Sequence, residues 1–574
     1  MPTVRLDLGD PQCHLLAVTI ELEVPRPQVC LRLPAWTPGS YLIRDYVRHL
    51  EGLEVVCGQE PCPIRRLGPA SWQLDLAGRV GEPLRIQYRL MATELSVRTC
   101  HLDGDHGFFA LAAVVLEVEG ERWSPYRLEI AQPPDWQAFV PLPQDGDGAW
   151  LARDFDQLVD TPLELGPHRC DRFAVAGVPH RWVTWEGGAG SSGWLQRHCP
   201  TLLADVQATA EACCRLMGAP APSCDAYLFI LHLLDEGYGG LEHDNSCVLV
   251  YGRASLQTPA GYRKFLQLVA HEYLHQWNVR RLRPSELTPI DYHQAVVVPS
   301  LWFAEGITSY LDQFLPLTVG LSKESELLED LGQDLSRYLL TPGRRVQSLR
   351  DSSQEAWVKL YRADAYAGDS QVSYYLKGAV IALVLDLHLR RQGSALAVVI
   401  RQLWHQFGRW GRGYQESDLL AAFSAEAADL ETLLPHWLRD LSDPDLVGYL
   451  ADVGLKLVPK AAESSWLGLT VKAEPTGLLV QRVYRHGPAE QAGLAVGDEL
   501  LALDGERLRQ ADALKTGWTP GQTRALLVCR RGRVRQCQLT AEPAAVEAWR
   551  LESDPAAPPQ ALERRRDWLS LLPA

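Results

Sequence analysis

Two histidines four residues apart, with a glutamate directly after the first, stand in the stretch HEYLHQWNVRRLRP at 271–284. On a helix, Tyr262, Leu266, Val269, Ala270, Tyr273, Leu274 and Trp277 gather on one side, while His271, Glu272 and His275 fall together opposite them. Side chains at this spacing lie about 5–6 Å apart at Cβ, so both imidazoles reach one zinc ion and the intervening carboxylate projects beside it. The same triplet also occurs as decoration of a solvent face, and a catalytic zinc requires a third protein ligand and an open fourth position. LWFAEGITSYLDQF supplies a candidate in Glu305, set among Trp302, Phe303, Ile307 and Tyr310. A carboxylate in apolar surroundings needs a partner; a metal provides one, and Arg280 or Arg281 is the alternative. The expected centre is His271, His275 and Glu305 around one Zn2+ per chain. There zinc would lower the pKa of a water towards about 7 and polarise a carbonyl, while Glu272 takes the water's proton and later delivers one to a leaving amine. Amide hydrolysis follows.

A chain of 574 residues needs several folding units to carry such a site, and 46% apolar with 22% charged residues is ordinary globular composition. The net charge of −15, from 71 acidic and 56 basic residues, repels nucleic acid and anionic membranes, so neither is expected as a partner. The N-terminus MPTVRLDLGDPQCHLLAVTIEL has no basic start followed by an apolar run, and charges interrupt every apolar stretch before 18 residues. The thirteen cysteines form no C-x-x-C pair and read as reduced thiols, which sets the expected location as cytoplasmic.

Along the chain, LLAVTIELEV, PLRIQYRLMATEL and AVVLEVEGERWSPYRLEIA alternate in character and are broken by Pro/Gly turns, predicting an antiparallel β domain over 1–165. Helical patterns and the strand-like AYLFILHLL and SCVLVYG then mix over 166–455, with helices dominating the later part. Short strands return over 460–543, and 544–574 is a tail with a Pro-rich break and one amphipathic segment. The fold class expected is multidomain α+β.

HEYLHQWNVRRLRP followed by LWFAEGITSY resembles the glycyl aminopeptidase family of zinc metallopeptidases, in the wider group whose third ligand is a glutamate. PAWTPGSYLIRDY (34–46) resembles that family's signature in its β domain, and SYYLKGAVIALVLDL (373–387) its helical segment after the metal site. The resemblance implies that 166–455 is a thermolysin-like catalytic domain with a helical extension, cutting after a small N-terminal residue, glycine or alanine. The position four after Glu305 is Ser309 where the thermolysin pattern has an aspartate, so the resemblance names no partner for His271.

YGGLEHDNS (238–246) is similar to the Gly-x-Met-Glu-Asn segment of aminopeptidase N-like enzymes, which implies that Glu242 holds the substrate's free α-amine beside Gly239 and Gly240. An ammonium entering a cleft needs such a fixed carboxylate. His243 stands where those enzymes have asparagine. By similarity to a Y-x-K-G segment, Tyr375 is the donor to the tetrahedral oxyanion, with Tyr374 the adjacent alternative. WLGLTV (466–471) and RHGPAEQAGLAVGDELLALDG (485–505) resemble a PDZ domain, whose Leu467, Gly468 and Leu469 amides would hold a peptide C-terminal carboxylate. The expected partners are peptides with a free N-terminus and a peptide C-terminus at the PDZ domain. An endopeptidase of the same fold, or a PDZ adaptor carrying a vestigial peptidase, are the rival readings.

Overall fold

The computed structural model describes residues 1–187 and 193–572. The N-terminal region is built from a seven-stranded sheet and two four-stranded sheets. In the large sheet, Pro83–Met91 lies between Leu15–Glu23 and Leu50–Cys57 and buries every second residue, the pattern of a strand with one wet face. One of the smaller sheets, containing Pro162–Gly166 and Gly107–Ala110, lies against the next region through Glu164 and its neighbours.

The central region carries a five-stranded sheet in the order Cys170–Val175, Val178–Trp185, Tyr227–Leu234, Ser246–Gly252, Tyr238–Glu242. Tyr227–Leu234 is buried along almost its whole length because it runs parallel between two neighbours with layers on both faces. Tyr238–Glu242 is the edge, antiparallel to Ser246–Gly252 with Glu242 opposite Cys247. The helix Pro259–Leu274 packs behind the sheet; Thr258 caps its first turn by accepting from the Gly261 amide at 3.0 Å, and Pro259 occupies the first helical position. Phe265, Leu266, Val269, Ala270 and Tyr273 form its core face. Helices then continue to Ala451, and one hydrophobic core joins the N-terminal and central regions.

Residues 469–540 form a separate sheet with its own core, including Leu478, Val480, Leu500, Leu526 and Val528. It sits at the end of a two-stranded stem, Leu455–Ala461 against Val546–Ser553, in which Ala461 pairs with Val546. Residues 546–569 supply two elements: the second stem strand packs on helix Glu324–Leu339, and helix Pro559–Leu569 brings the buried Trp568 indole to donate to the Tyr310 hydroxyl at 2.7 Å. Among the described residues no helix is long and apolar enough to cross a membrane.

Candidate active site

His271 lies in the last turn of helix Pro259–Leu274, and His275 is its C-terminal cap residue. Glu305 comes from Trp302–Gly306, a π-helical turn that leads directly into the α-helix Ile307–Thr318. Such one-turn bulges rotate the residues they contain relative to the helix that follows. Here the turn delivers Glu305 Oε2 to 3.5 Å from His271 Nε2 and 3.2 Å from His275 Nε2. Ligands each about 2.1 Å from a tetrahedral zinc lie about 3.4 Å apart, so the three atoms fit that ion. Glu305 Oε2 is buried and accepts no hydrogen bond from the protein, which leaves it free for a cation. Burial alone would raise the Glu305 carboxyl, but the neighbouring His275 and His271 hold it below its usual range.

Both imidazoles are oriented from behind. His271 Nδ1 donates to Asp312 at 2.8 Å and His275 Nδ1 to the Asn278 carbonyl at 2.5 Å, leaving both Nε2 atoms facing Glu305. Asp312 is the partner that the comparison at Ser309 did not supply. It lies seven residues after Glu305, two helical turns on, and so on the same face. Arg280 and Arg281, the alternative partners of Glu305, bind elsewhere: Arg280 pairs with Asp160 at 2.8 Å and Asp244 at 2.9 Å, and Arg281 donates to the Asp244 carbonyl at 2.9 Å. They clamp the segment just beyond Glu242.

Glu272 lies against the edge strand. A side chain at Gly240 would strike its carboxylate, so the glycine is what lets that carboxylate lie there. Burial pushes the Glu272 carboxyl up to about 7, with Glu242 and Glu305 adding to the effect and the histidines opposing it. Glu242 is 4% exposed, and its Oε1, like Glu272 Oε2, accepts no hydrogen bond from the protein. Ligating atoms of Glu242, Glu272 and His275 lie within 4.8 Å of one another. Buried, undonated carboxylate oxygens on this scale call for cations.

The helix Tyr374–Arg391 closes the opposite wall. Tyr375 lines the cavity and stacks near His271 with ring centroids 6.5 Å apart, whereas Tyr374 is fully buried. The Tyr361 hydroxyl bridges the two, 3.3 Å from that of Tyr374 and 3.2 Å from that of Tyr375. This helix comes close because Gly306 and Gly378 meet backbone to backbone: a Cβ on Gly306 would lie 2.5 Å from the Gly378 Cα. The resulting cavity, about 580 Å³, is lined by His271, Glu272, His275, Glu305, Glu242 and Tyr375. Gly239 and Gly240 line it from the edge strand, and Gly39 and Arg98 enter it from the N-terminal region. Gly39 stood within the quoted PAWTPGSY signature; Arg98 and Tyr361 carried no local signal in the sequence.

Leu467, Gly468 and Leu469 lie elsewhere, at the start of edge strand Leu469–Glu474 in the separate C-terminal sheet. Gly468 has φ +71°, its carbonyl accepts from the Tyr484 amide at 2.9 Å, and helix Ala511–Lys515 packs beside the strand. An edge strand is where an extended peptide can add to a sheet.

A family model described as the Peptidase M61 N-terminal domain matches residues 3–167, one described as M61 glycyl aminopeptidase matches 264–381, and a PDZ domain model matches 479–531. Among solved structures the chain is similar to an aminopeptidase N family protein from Idiomarina loihiensis, 31% identical with a TM-score of 0.91, covering 99% of this chain and 100% of that one. It is similar in fold to Legionella pneumophila aminopeptidase A in complex with aspartic acid, at 12% identity and TM-score 0.50, over 94% of this chain and 56% of that one. An M1 zinc metallopeptidase from Deinococcus radiodurans aligns at 14% identity and TM-score 0.49, over 78% of this chain and 94% of that one. No curated protein matches.

Proposed function

The chain belongs to the M61 glycyl aminopeptidase family and is a zinc metallo-aminopeptidase, and from that premise we propose that it removes one small residue, glycine or alanine, from the free N-terminus of peptides. The observation that carries this reading is the closeness of Glu242 to Glu272 and His275, with ligating atoms within 4.8 Å. From an α-amine nitrogen to its own carbonyl carbon is two bonds, about 2.5 Å. An ammonium on Glu242 therefore presents the first peptide carbonyl to the metal set, and a later one lies too far away.

The donor set His271, His275 and Glu305 suits one zinc per chain. When bound, the ion polarises the scissile carbonyl and lowers the pKa of a water. Glu272 accepts that water's proton as its oxygen attacks the carbonyl carbon, and returns a proton to the leaving amine as the C–N bond breaks. The Tyr375 hydroxyl donates to the oxyanion, and Glu242 holds the ammonium by charge-assisted hydrogen bonds. The Leu467–Leu469 loop receives a peptide C-terminal carboxylate, recruiting or orienting substrates as an added strand. The thirteen unpaired cysteines suit a reducing cytoplasm.

The test is cleavage of a glycine- or alanine-led peptide, free or N-acetylated, by metal-quantified protein with and without chelator. We expect the free peptide alone to be cut and the chelator to stop it. Equal cleavage of both would make the enzyme an endopeptidase, and no cleavage despite bound zinc would favour the PDZ adaptor.

A further inference from the structure

Thr37–Ser40, in the N-terminal region, is a tight turn with Pro38 and Gly39 at its centre; the Ser40 amide donates to the Thr37 carbonyl at 3.2 Å and Gly39 has φ +81°. Proline followed by a positive-φ glycine is the composition of a type II turn. The turn is fastened to the central region on two sides. The Ala35 amide donates to the Tyr292 carbonyl at 2.7 Å and the Trp36 indole to the Asp291 carbonyl at 2.8 Å. Tyr41, 1% exposed, packs edge-on against Trp357 and Tyr361. Held this way, the tip reaches the cavity wall beside Glu242. A Cβ on Gly39 would lie 2.5 Å from both Glu242 carboxylate oxygens and 2.7 Å from Cδ. The glycine leaves room for this carboxylate, and Glu242 Oε1 is buried and accepts no hydrogen bond from the protein.

We propose that Gly39 is a positioning residue for the substrate's ammonium: the turn abuts the oxygen end of the Glu242 carboxylate and limits where those oxygens can lie, so that the N-terminal region sets where the substrate chain must end. This rests on Glu242 being the ammonium site. The absence of a Cβ matters twice, for the contact itself and for the positive φ, and the two are separable. Alanine at 39 adds both strain and the contact, whereas asparagine tolerates positive φ and adds the contact alone.

The experiment compares Gly39→Ala, Gly39→Asn, Glu242→Ala and the Gly39→Asn/Glu242→Ala pair, all checked for zinc content and thermal unfolding, on a free alanine-led peptide. Each single variant should lower kcat/KM by about 10–100-fold with zinc retained, the range expected when a reacting group is misplaced by about an ångström. In the Glu242→Ala background the Gly39→Asn change should cost less than about threefold, because the group it displaces is gone. Losses that multiply in the pair, or wild-type kcat/KM in Gly39→Asn, would overturn the inference and leave the ammonium reading standing. An unaffected Glu242→Ala enzyme would remove the ammonium reading and this inference with it. If the alanine variant does not fold, the asparagine variant decides.

Discussion

At the scale of single residues, the proposed mechanism separates groups that touch the reacting atoms from groups that hold them. Tyr375 lines the cavity and Tyr374 does not, although their hydroxyls share Tyr361. Tyr375→Phe should therefore lower kcat by about 10²–10³-fold with zinc retained, the usual cost of one oxyanion donor, while Tyr374→Phe should stay within about tenfold of wild type. Single-turnover rates on a glycine-led peptide distinguish them. Asp312 accepts from His271 Nδ1, so Asp312→Ala should act on the proposed metal site: zinc affinity should fall by about 10–100-fold in a chelator competition. The proposed metal ligands were legible because H-E-x-x-H and a glutamate in an apolar helix are local patterns. Asp312 was not, because the familiar pattern points to four residues after the ligand, whereas here the partner comes one helical turn later on the same face.

At the scale of elements, the π-turn and the two facing glycines perform one task. The turn directs Glu305 at the histidines, and Gly306 against Gly378 allows the Tyr374–Arg391 helix to lie at backbone contact. Gly378→Ala should force these helices apart, lowering stability by about 1–3 kcal/mol in denaturant titrations and reducing kcat along with it. A glycine distant from packing would gain helix propensity from the same change. Periodicity located the helices around 259–274 and 374–391, since each keeps a long apolar face, but a single π-turn leaves that pattern almost unchanged. Nor could a local reading find the stem, because Leu455–Ala461 pairs with a strand about ninety residues later and neither partner is amphipathic enough to announce the other.

At the scale of the whole molecule, a second histidine cluster joins the N-terminal and central regions. The Glu164 carboxylate accepts from His106 Nδ1 at 2.9 Å, His168 Nε2 at 2.7 Å and His232 Nε2 at 2.8 Å, all with side chains at most 3% exposed. These are hydrogen-bond lengths, and His106 Nε2 and His232 Nδ1 lack the outward acceptors that orient His271 and His275. The cluster is a protonic joint, distinct in kind from the proposed zinc set. Its pH dependence runs one way. Burial lowers the His106 pKa, so the folded chain refuses a proton that the unfolded chain takes below about 6.5. Burial opposes the ionised Glu164, but His232 and His106 hold its pKa well below the ordinary value, so its contribution is present above the usual carboxylate range and lost in stronger acid. Stability should thus fall as pH drops below about 6.5. Glu164→Gln should cost about 1–3 kcal/mol at pH 7, with the gap to wild type narrowing in strong acid, as measured by denaturant titrations across pH. His101, paired with Asp103 at 3.0 Å, faces the same cluster through its ring contact with His106.

The stem has a further meaning. Ala461 and Val546 are cross-strand partners, and the Ala462 amide donates to the Ala545 carbonyl at 2.9 Å, so the chain leaves for the PDZ fold and returns at nearly the same point. The second stem strand stays fastened to the catalytic helices, with the Trp549 amide donating to Ser336 Oγ at 2.9 Å. In evolutionary terms the PDZ module is a cassette with a single doorway. A short turn could join the two stem strands directly, so the PDZ module and the peptidase can change separately.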